Sequence, residues 1–242
     1  MNPTVATLTW RSLLGRRRAL LLLVLPVILI VLAVVIRLIQ GQDADHAAIL
    51  LGRFGLGFLI PLLCLIAGTG AIGPEIDDGS IVYLLAKPIS RYTIILSKLA
   101  TTIVVVIAFG VLPTLVAGFV IAGGMAHVAI GYGLGALVAG IAYSALFLLL
   151  AVLTRNAVVA GLLYALVWEG VVGGYVPGAQ ALSVQQWALA VTAKVIGAPA
   201  EGLNVTSAVG LPAAIILLVV LSVGATAYAG YRLRSIRLTG DE

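Results

Sequence analysis

Charge is what this 242-residue chain has least of. Asp, Glu, Lys and Arg make up 10% of it, against 62% hydrophobic residues and a mean hydropathy of +1.20. Soluble domains carry about 25% charged and about 45–50% apolar residues, and no water-soluble fold of this length has the interior to hide so much apolar side chain. Reactive side chains are equally scarce. There is one cysteine, Cys64, so no internal disulfide can form, and its place inside an apolar run reads as a small buried hydrophobe. The two histidines, His46 in the first outside loop and His127 in the tight turn between the third and fourth spans, offer less than a metal site or a nucleophile–base pair needs, and both read as solvated surface residues. No Gly-x-x-x-x-Gly-Lys-[Ser/Thr], His-Glu-x-x-His or Gly-x-Ser-x-Gly pattern occurs. The chain therefore carries no phosphate cradle of its own. No catalytic residue, metal ligand or resident cofactor is assigned to it, and it is not read as an enzyme.

What the chain does have is long apolar runs. In lipid every backbone polar group must be paired within a helix or a closed barrel. A barrel would show short segments of alternating polarity, and these runs are unbroken, so helices are expected. A span needs roughly 20 apolar residues. The expected fold is an all-α integral membrane protein, a single transmembrane domain over 1–242 with six spans at 19–38, 54–73, 94–122, 128–153, 156–175 and 210–231. The uncharged stretch 99–154 is too long for one span and breaks near 123–127. Arg16, Arg17 and Arg18 precede the first run as they would in a signal peptide. With about 18 apolar residues and no clean cleavage pattern after them, an anchored span is the better reading.

Six spans put both termini on one side, and the positive-inside rule selects it. With the termini cytoplasmic, the inside segments hold Arg11, Arg16, Arg17, Arg18, Lys87, Arg91, Lys98, Arg155, Arg232, Arg234 and Arg237, and the outside segments only Arg37, Arg53 and Lys194. The expected location is the cell (inner or plasma) membrane, multi-pass. The net charge of +5 lies against the anionic inner leaflet, a lipid contact. With no basic face or binding motif, it does not indicate nucleic acid.

Two flanking segments are not spans. Residues 1–18 read as an interfacial N-terminal helix, with Trp10 and its apolar neighbours on one face and Arg11, Arg16, Arg17 and Arg18 supplying charge; an unstructured basic tail is the alternative. The outside segment 176–209 is half apolar. Val184, Trp187, Ala188, Val191 and Val195 share one helical face opposite Ser183 and Gln186, which predicts an interfacial or re-entrant helix ending near Gly197 and Pro199. Glu169, late in the fifth span, is a candidate pathway residue because a carboxylate within a span is expensive. The other reading is a wet outer vestibule, or a hydrogen bond to Tyr164 or Tyr175. The glycines of 131–140 and Gly170, Gly173 and Gly174 suit close helix packing.

The cytoplasmic loop 74–93 is the most informative segment. Asp78 or Ser80 can cap a short helix, Ile81, Leu84 and Leu85 then make one apolar stripe, Pro88 ends it, and Ser90 can cap the third span. A stripe facing water needs a partner to cover it. Glu75, then Gly79-Ser80, Leu84-Leu85, Pro88-x-Ser90-Arg91 and Lys98 resemble the ABC-2 export permeases, and the six-span plan and basic N-terminal helix are similar to theirs. The pair Asp77-Asp78, between the Glu and the Gly, departs from that pattern and leaves open which carboxylate makes the contact. The resemblance implies a permease subunit that forms half of a translocation pathway for an amphipathic or hydrophobic substrate. A second permease chain, identical or homologous, would complete the pathway. Two copies of a cytoplasmic ABC ATPase subunit would bind ATP and Mg. The residues implied in coupling to that subunit are Glu75, Asp77, Asp78, Gly79, Ser80, Leu84, Leu85, Pro88, Ser90 and Arg91. From residue chemistry alone, an ion-gradient-driven secondary transporter and a structural membrane subunit of a larger complex stay open.

Overall fold

A computed structural model describes residues 7–10, 13, 15–79, 90–173, 176 and 178–235 of the chain. Among the described residues there are helices and no strands. Five helical runs are long and apolar enough to cross a membrane: Ala19–Gln40, Ala44–Ile76, Arg91–Ala122, Ala126–Leu153 and Leu211–Leu233. The expected span at 156–175 appears as a shorter apolar helix, Ala157–Val172.

The first helix, α1 (Arg16–Gln40), begins with the basic triplet and ends where Gly41, at φ 79°, turns the chain and donates to the Arg37 carbonyl. The next helix starts ten residues earlier than the apolar run suggested. Asp43 caps it, accepting from the Asp45 N–H at 3.0 Å, and α2 (Ala44–Ile49) follows without a loop. A search for uncharged runs stops at Arg53, but arginine is itself a good helix former and does not stop a helix. His46 and Arg53 are thus helical, and His46 bonds Asp43 at 2.8 Å. The helix continues through a widened stretch, Leu50–Leu59, into α3 (Ile60–Asp77). It also runs on past the expected end at Gly73. Pro74 lies inside it and gives up one helical N–H.

After residues 80–89, α4 (Arg91–Val106) passes through a widened turn, Ile107–Val111, into α5 (Leu112–Ala122). The central helix is α6 (Ala126–Leu153). Next come α7 (Ala157–Leu163) with a widened continuation Tyr164–Val172, a 3-10 turn Ala179–Leu182, α8 (Val184–Ile196), α9 (Pro199–Gly202) and α10 (Leu211–Ser235). In each widened stretch an N–H reaches the carbonyl five residues back: Ile60 to Gly55, Leu112 to Ile107, Gly173 to Trp168. Such turns are uncommon and often occur at functional sites.

Helix α6 packs against α3, α5, α8 and α10. Small residues let it. A Cβ on Gly68 of α3 would stand 2.9 Å from the Phe147 Cβ and 3.2 Å from the Leu148 nitrogen, and one on Gly131 of α6 would stand 2.7 Å from Ile196 of α8. Close backbone approach of this kind is how helices associate where lipid removes the hydrophobic drive. Helices α1 and α10 lie outermost. Leu20, Leu21, Val31, Ile216, Val219 and Val223 remain exposed on them.

Candidate coupling end and the Glu169 node

The bundle has two ends. At one, the Arg37 guanidinium donates to the Val120 carbonyl at 3.0 Å, and the Asp43 N–H donates to the Ile121 carbonyl at 3.1 Å. At the other, α3 ends and α4 begins. Ser90 caps α4 as expected, accepting from the Thr93 N–H at 3.1 Å. Between the two helices stands an ion pair. Lys98 is fully buried and donates to the Glu75 Oε1 at 2.7 Å and to the Ala71 carbonyl at 2.6 Å. Ala71 and Glu75 are four apart, so both acceptors lie on one face of α3. The Glu75 side chain remains 27% exposed.

This arrangement revises several expectations for the loop. Glu75 belongs to the last turn of α3 and is turned toward Lys98 instead of standing free in a loop. Asp78 does not open a helix. It closes α3, with its N–H on the Pro74 carbonyl at 2.9 Å, and is itself exposed. Gly79 then takes φ 70°, where a side chain would be strained. The backbone of Asp77 ends α3. Ser80, Leu84, Leu85 and Pro88, and with them the expected coupling helix, lie outside the described residues, as does Arg11. Arg91 is the first residue of α4. Residues 7–10 are helical with Trp10 exposed, and Arg16, Arg17 and Arg18 form the first turn of α1 instead of the end of a separate helix.

Glu169 is the second polar node. It lies in the widened turn after α7 and is 1% exposed, which excludes the wet vestibule. Four donors converge on it. The Tyr164 hydroxyl and the Val184 N–H reach Oε1 at 2.8 and 2.9 Å; the Ser183 hydroxyl and the Gln185 N–H reach Oε2 at 2.5 and 3.4 Å. A carboxylate accepts at both oxygens and satisfies all four. Two of the donors are N–H groups at the start of α8, where the helix dipole favours negative charge. Tyr164 was one of the two partners expected; Tyr175 lies outside the described residues. The Tyr143 hydroxyl is buried with no partner among the described residues, and its ring packs edge-on against Tyr164.

Helix α8 stops at Gly197, φ 78°, as expected, and is capped by Ser183, which the sequence had placed on the polar face and which is in fact buried. Its buried residues are Val184, Trp187, Ala188, Ala190, Thr192 and Ile196, with Val191 and Val195 half-buried, so Thr192 and Ile196 take the places predicted for those two. The shift follows from α6, whose Gly131 and Gly135 accept Ile196 and Thr192. The Gln185 side chain donates to the Gly52 carbonyl in the first widened stretch at 3.2 Å. Cys64 is buried, and its thiol donates to the Gly140 carbonyl at 3.5 Å. His127 is half-buried, with its Nε2 turned inward and without a partner among the described residues, so it is less solvated than expected. Among the described residues no three His, Cys, Asp or Glu side chains cluster as metal ligands.

Sequence reasoning had picked out Glu75 and Lys98 separately but not as a pair. Their separation of 23 residues follows no helical periodicity. It had likewise singled out Glu169 without its partners on α8, which lie across a turn. Residues 14–177 match the family model described as ABC-2 family transporter protein. The matched stretch contains both nodes up to Glu169 and ends before α8. A comparison with curated proteins finds no match.

Proposed function

Because the chain belongs to the ABC-2 transporter family, we propose that it is the permease subunit of an ATP-driven exporter, forming half of the path for an amphipathic or hydrophobic substrate. The family match carries this reading. In it the chain crosses the cell membrane six times, with the Ser90 end and both termini in the cytoplasm. A separate cytoplasmic ABC ATPase subunit, two copies per assembly, binds ATP and Mg, and a second permease chain completes the pathway.

The Glu75–Lys98 pair supports a mechanical role for the cytoplasmic end. The pair ties the end of α3 to α4, whose start Ser90 caps, so the segment that joins them is attached to two linked helices. A push on that segment by the ATPase moves α3 and α4 together and not one past the other. Asp78, exposed at the end of α3, and the adjoining Asp77 and Ser80 to Arg91 form the contact region, and the N-terminal segment with Trp10 and its arginines flanks it. At the opposite end Glu169 ties α7 to α8, so motion of the fifth span is delivered to the α8 segment. Glu169 in this reading positions α8 and does not touch cargo.

The test is a pull-down of the tagged full chain from mild detergent, with ATPase assay of what co-purifies. A stoichiometric soluble subunit with ATPase activity is expected. A chain recovered alone under gentle conditions at native expression would overturn the reading.

A further inference from the structure

Helix α3 presents two faces. Ala71 and Glu75 point to Lys98. The opposite face, with Leu65, Ile66, Gly70 and Gly73, lines a cleft of about 540 Å³ closed by Leu21 of α1, the end of α6 and the start of α7. That volume is in the range of ligand pockets, roughly 300–1,000 Å³. Along α3 the cleft runs from Leu62 to Pro74, about 18 Å at 1.5 Å per residue. A hydrocarbon core is about 30 Å thick, so the cleft has the depth of one leaflet. Its deep part is aliphatic. Its mouth, at the Ser90 end, is polar, with Thr154 and Arg155. Arg155 is exposed and has no carboxylate partner among the described residues. The first turn of α1, Arg16 to Arg18 in the backbone, stands just before Leu21 at the same end.

We propose that this cleft binds an anionic membrane lipid, its chain lying along α3 and its headgroup held by Arg155 at the cytoplasmic lip. A guanidinium offers parallel N–H donors to a phosphate, and anionic lipids are concentrated in the cytoplasmic leaflet. An aliphatic slot one leaflet deep with a cation at its mouth matches an anionic amphiphile in charge and in length. A zwitterionic lipid would bring a second cation to Arg155. The orientation in the bilayer rests on the permease topology proposed above; the binding itself does not.

The structure supplies a variant that fills the cleft without disturbing packing. A Cβ on Gly73 would meet no atom within 4 Å, so Gly73→Leu projects into open space. The experiment places the full chain, without any ATPase, in nanodiscs of phosphatidylcholine containing phosphatidylglycerol. A trace of phosphatidylglycerol with a photoactivatable acyl chain is added, and labelled peptides are mapped by mass spectrometry. The expected result is labelling at Leu65, Ile66 and Val158, lowered at least about tenfold, equal to 1.4 kcal/mol, by Arg155→Gln. Gly73→Leu should abolish it while the melting temperature is kept. A photoactivatable phosphatidylcholine should label these positions no more than the outer faces of α1 and α10. Equal labelling by both lipids, or labelling insensitive to both variants, would mean bulk lipid only and would overturn the proposal. So would cross-linking of Val158 to a second copy of the chain. Failure to recover an ATPase would sink the permease reading and leave this result standing.

Discussion

Replacing Glu169 by glutamine keeps the side chain's shape and takes away one acceptor. If the amide nitrogen takes the place of Oε1, it faces the Val184 N–H, now 2.9 Å from its acceptor, and that donor is orphaned. If it takes the place of Oε2, the Ser183 hydroxyl can turn to accept, and only the longer Gln185 contact at 3.4 Å is lost. The second orientation is the better one. The three retained bonds still fall from the charged class, about 1.5–3 kcal/mol each, to the neutral class, about 0.5–1.5. The start of α8 also loses a facing charge worth about 0.3–1 kcal/mol, or up to ~2 when partly buried. Relief from burying a charge returns part of this. The expected net loss is about 2 kcal/mol for Glu169→Gln, and about 4 for Glu169→Ala, which strands two backbone N–H groups. At about 2–4 °C per kcal/mol for a chain of this length, the glutamine variant should melt roughly 4–8 °C lower. Cys64, the one cysteine and buried, is a built-in reporter for a thiol-reactive fluorophore. Hydrogen exchange should show the loss concentrated at residues 183–186. A glutamine variant that melts with the parent chain would refute the argument. A changed preference for cationic over neutral substrates without a melting shift would return Glu169 to the pathway.

Four further outcomes are expected. Glu75→Ala leaves the fully buried Lys98 without its carboxylate, whereas Lys98→Met leaves a carboxylate 27% exposed; breaking a buried pair costs about 3–5 kcal/mol, so both variants should melt lower, Glu75→Ala by more, and the double variant should recover part of the loss. Leu84→Ala should uncouple ATP hydrolysis from transport at unchanged melting temperature, and normal coupled turnover would remove the assigned role of that loop. Gly68→Ala should destabilise by about 1–3 kcal/mol, because the new methyl meets the backbone of α6, read as a lower melting temperature with helical content kept. The Asp45 N–H, and secondarily His46, hold the Asp43 carboxyl below its usual 3.8. A depressed folded value means the cap's contribution is present above about pH 4 and lost as pH falls through the folded value. The Asp45 amide signal should therefore titrate with a midpoint below 3.8, and the Asp43→Asn chain should show no such titration; a midpoint above 3.8 would contradict the cap.

The transmembrane helices were legible because composition alone demands them, and α8 because a 3.6-residue apolar stripe runs up to a stop at Gly197, although the far end of the stripe was placed one residue off. Boundaries set by capping were less so. Ser90 was read as a cap because it directly precedes an apolar run, while Asp43 was missed because Arg53 interrupted the run behind it. The widened turns have no residue signature to read. The two polar nodes were visible only as isolated residues. A buried carboxylate announces that it needs partners but not where they are, and here they come from 14 to 16 residues on for Glu169 and 23 for Glu75, bar the nearby Tyr164.

The buried lysine also bears on how the chain reaches the membrane. A lysine at the centre of a lone span opposes insertion by about 2.5–3.5 kcal/mol, less toward an end. Lys98 is relieved of this by Ala71 and Glu75 of α3, and Glu75 leaves the ribosome 23 residues earlier. At about 5–20 residues per second of synthesis, α3 waits roughly 1–5 s for its partner. The two helices are thus best delivered into lipid as one hairpin, and the machinery that inserts them has to hold the first at its exit until the second arrives.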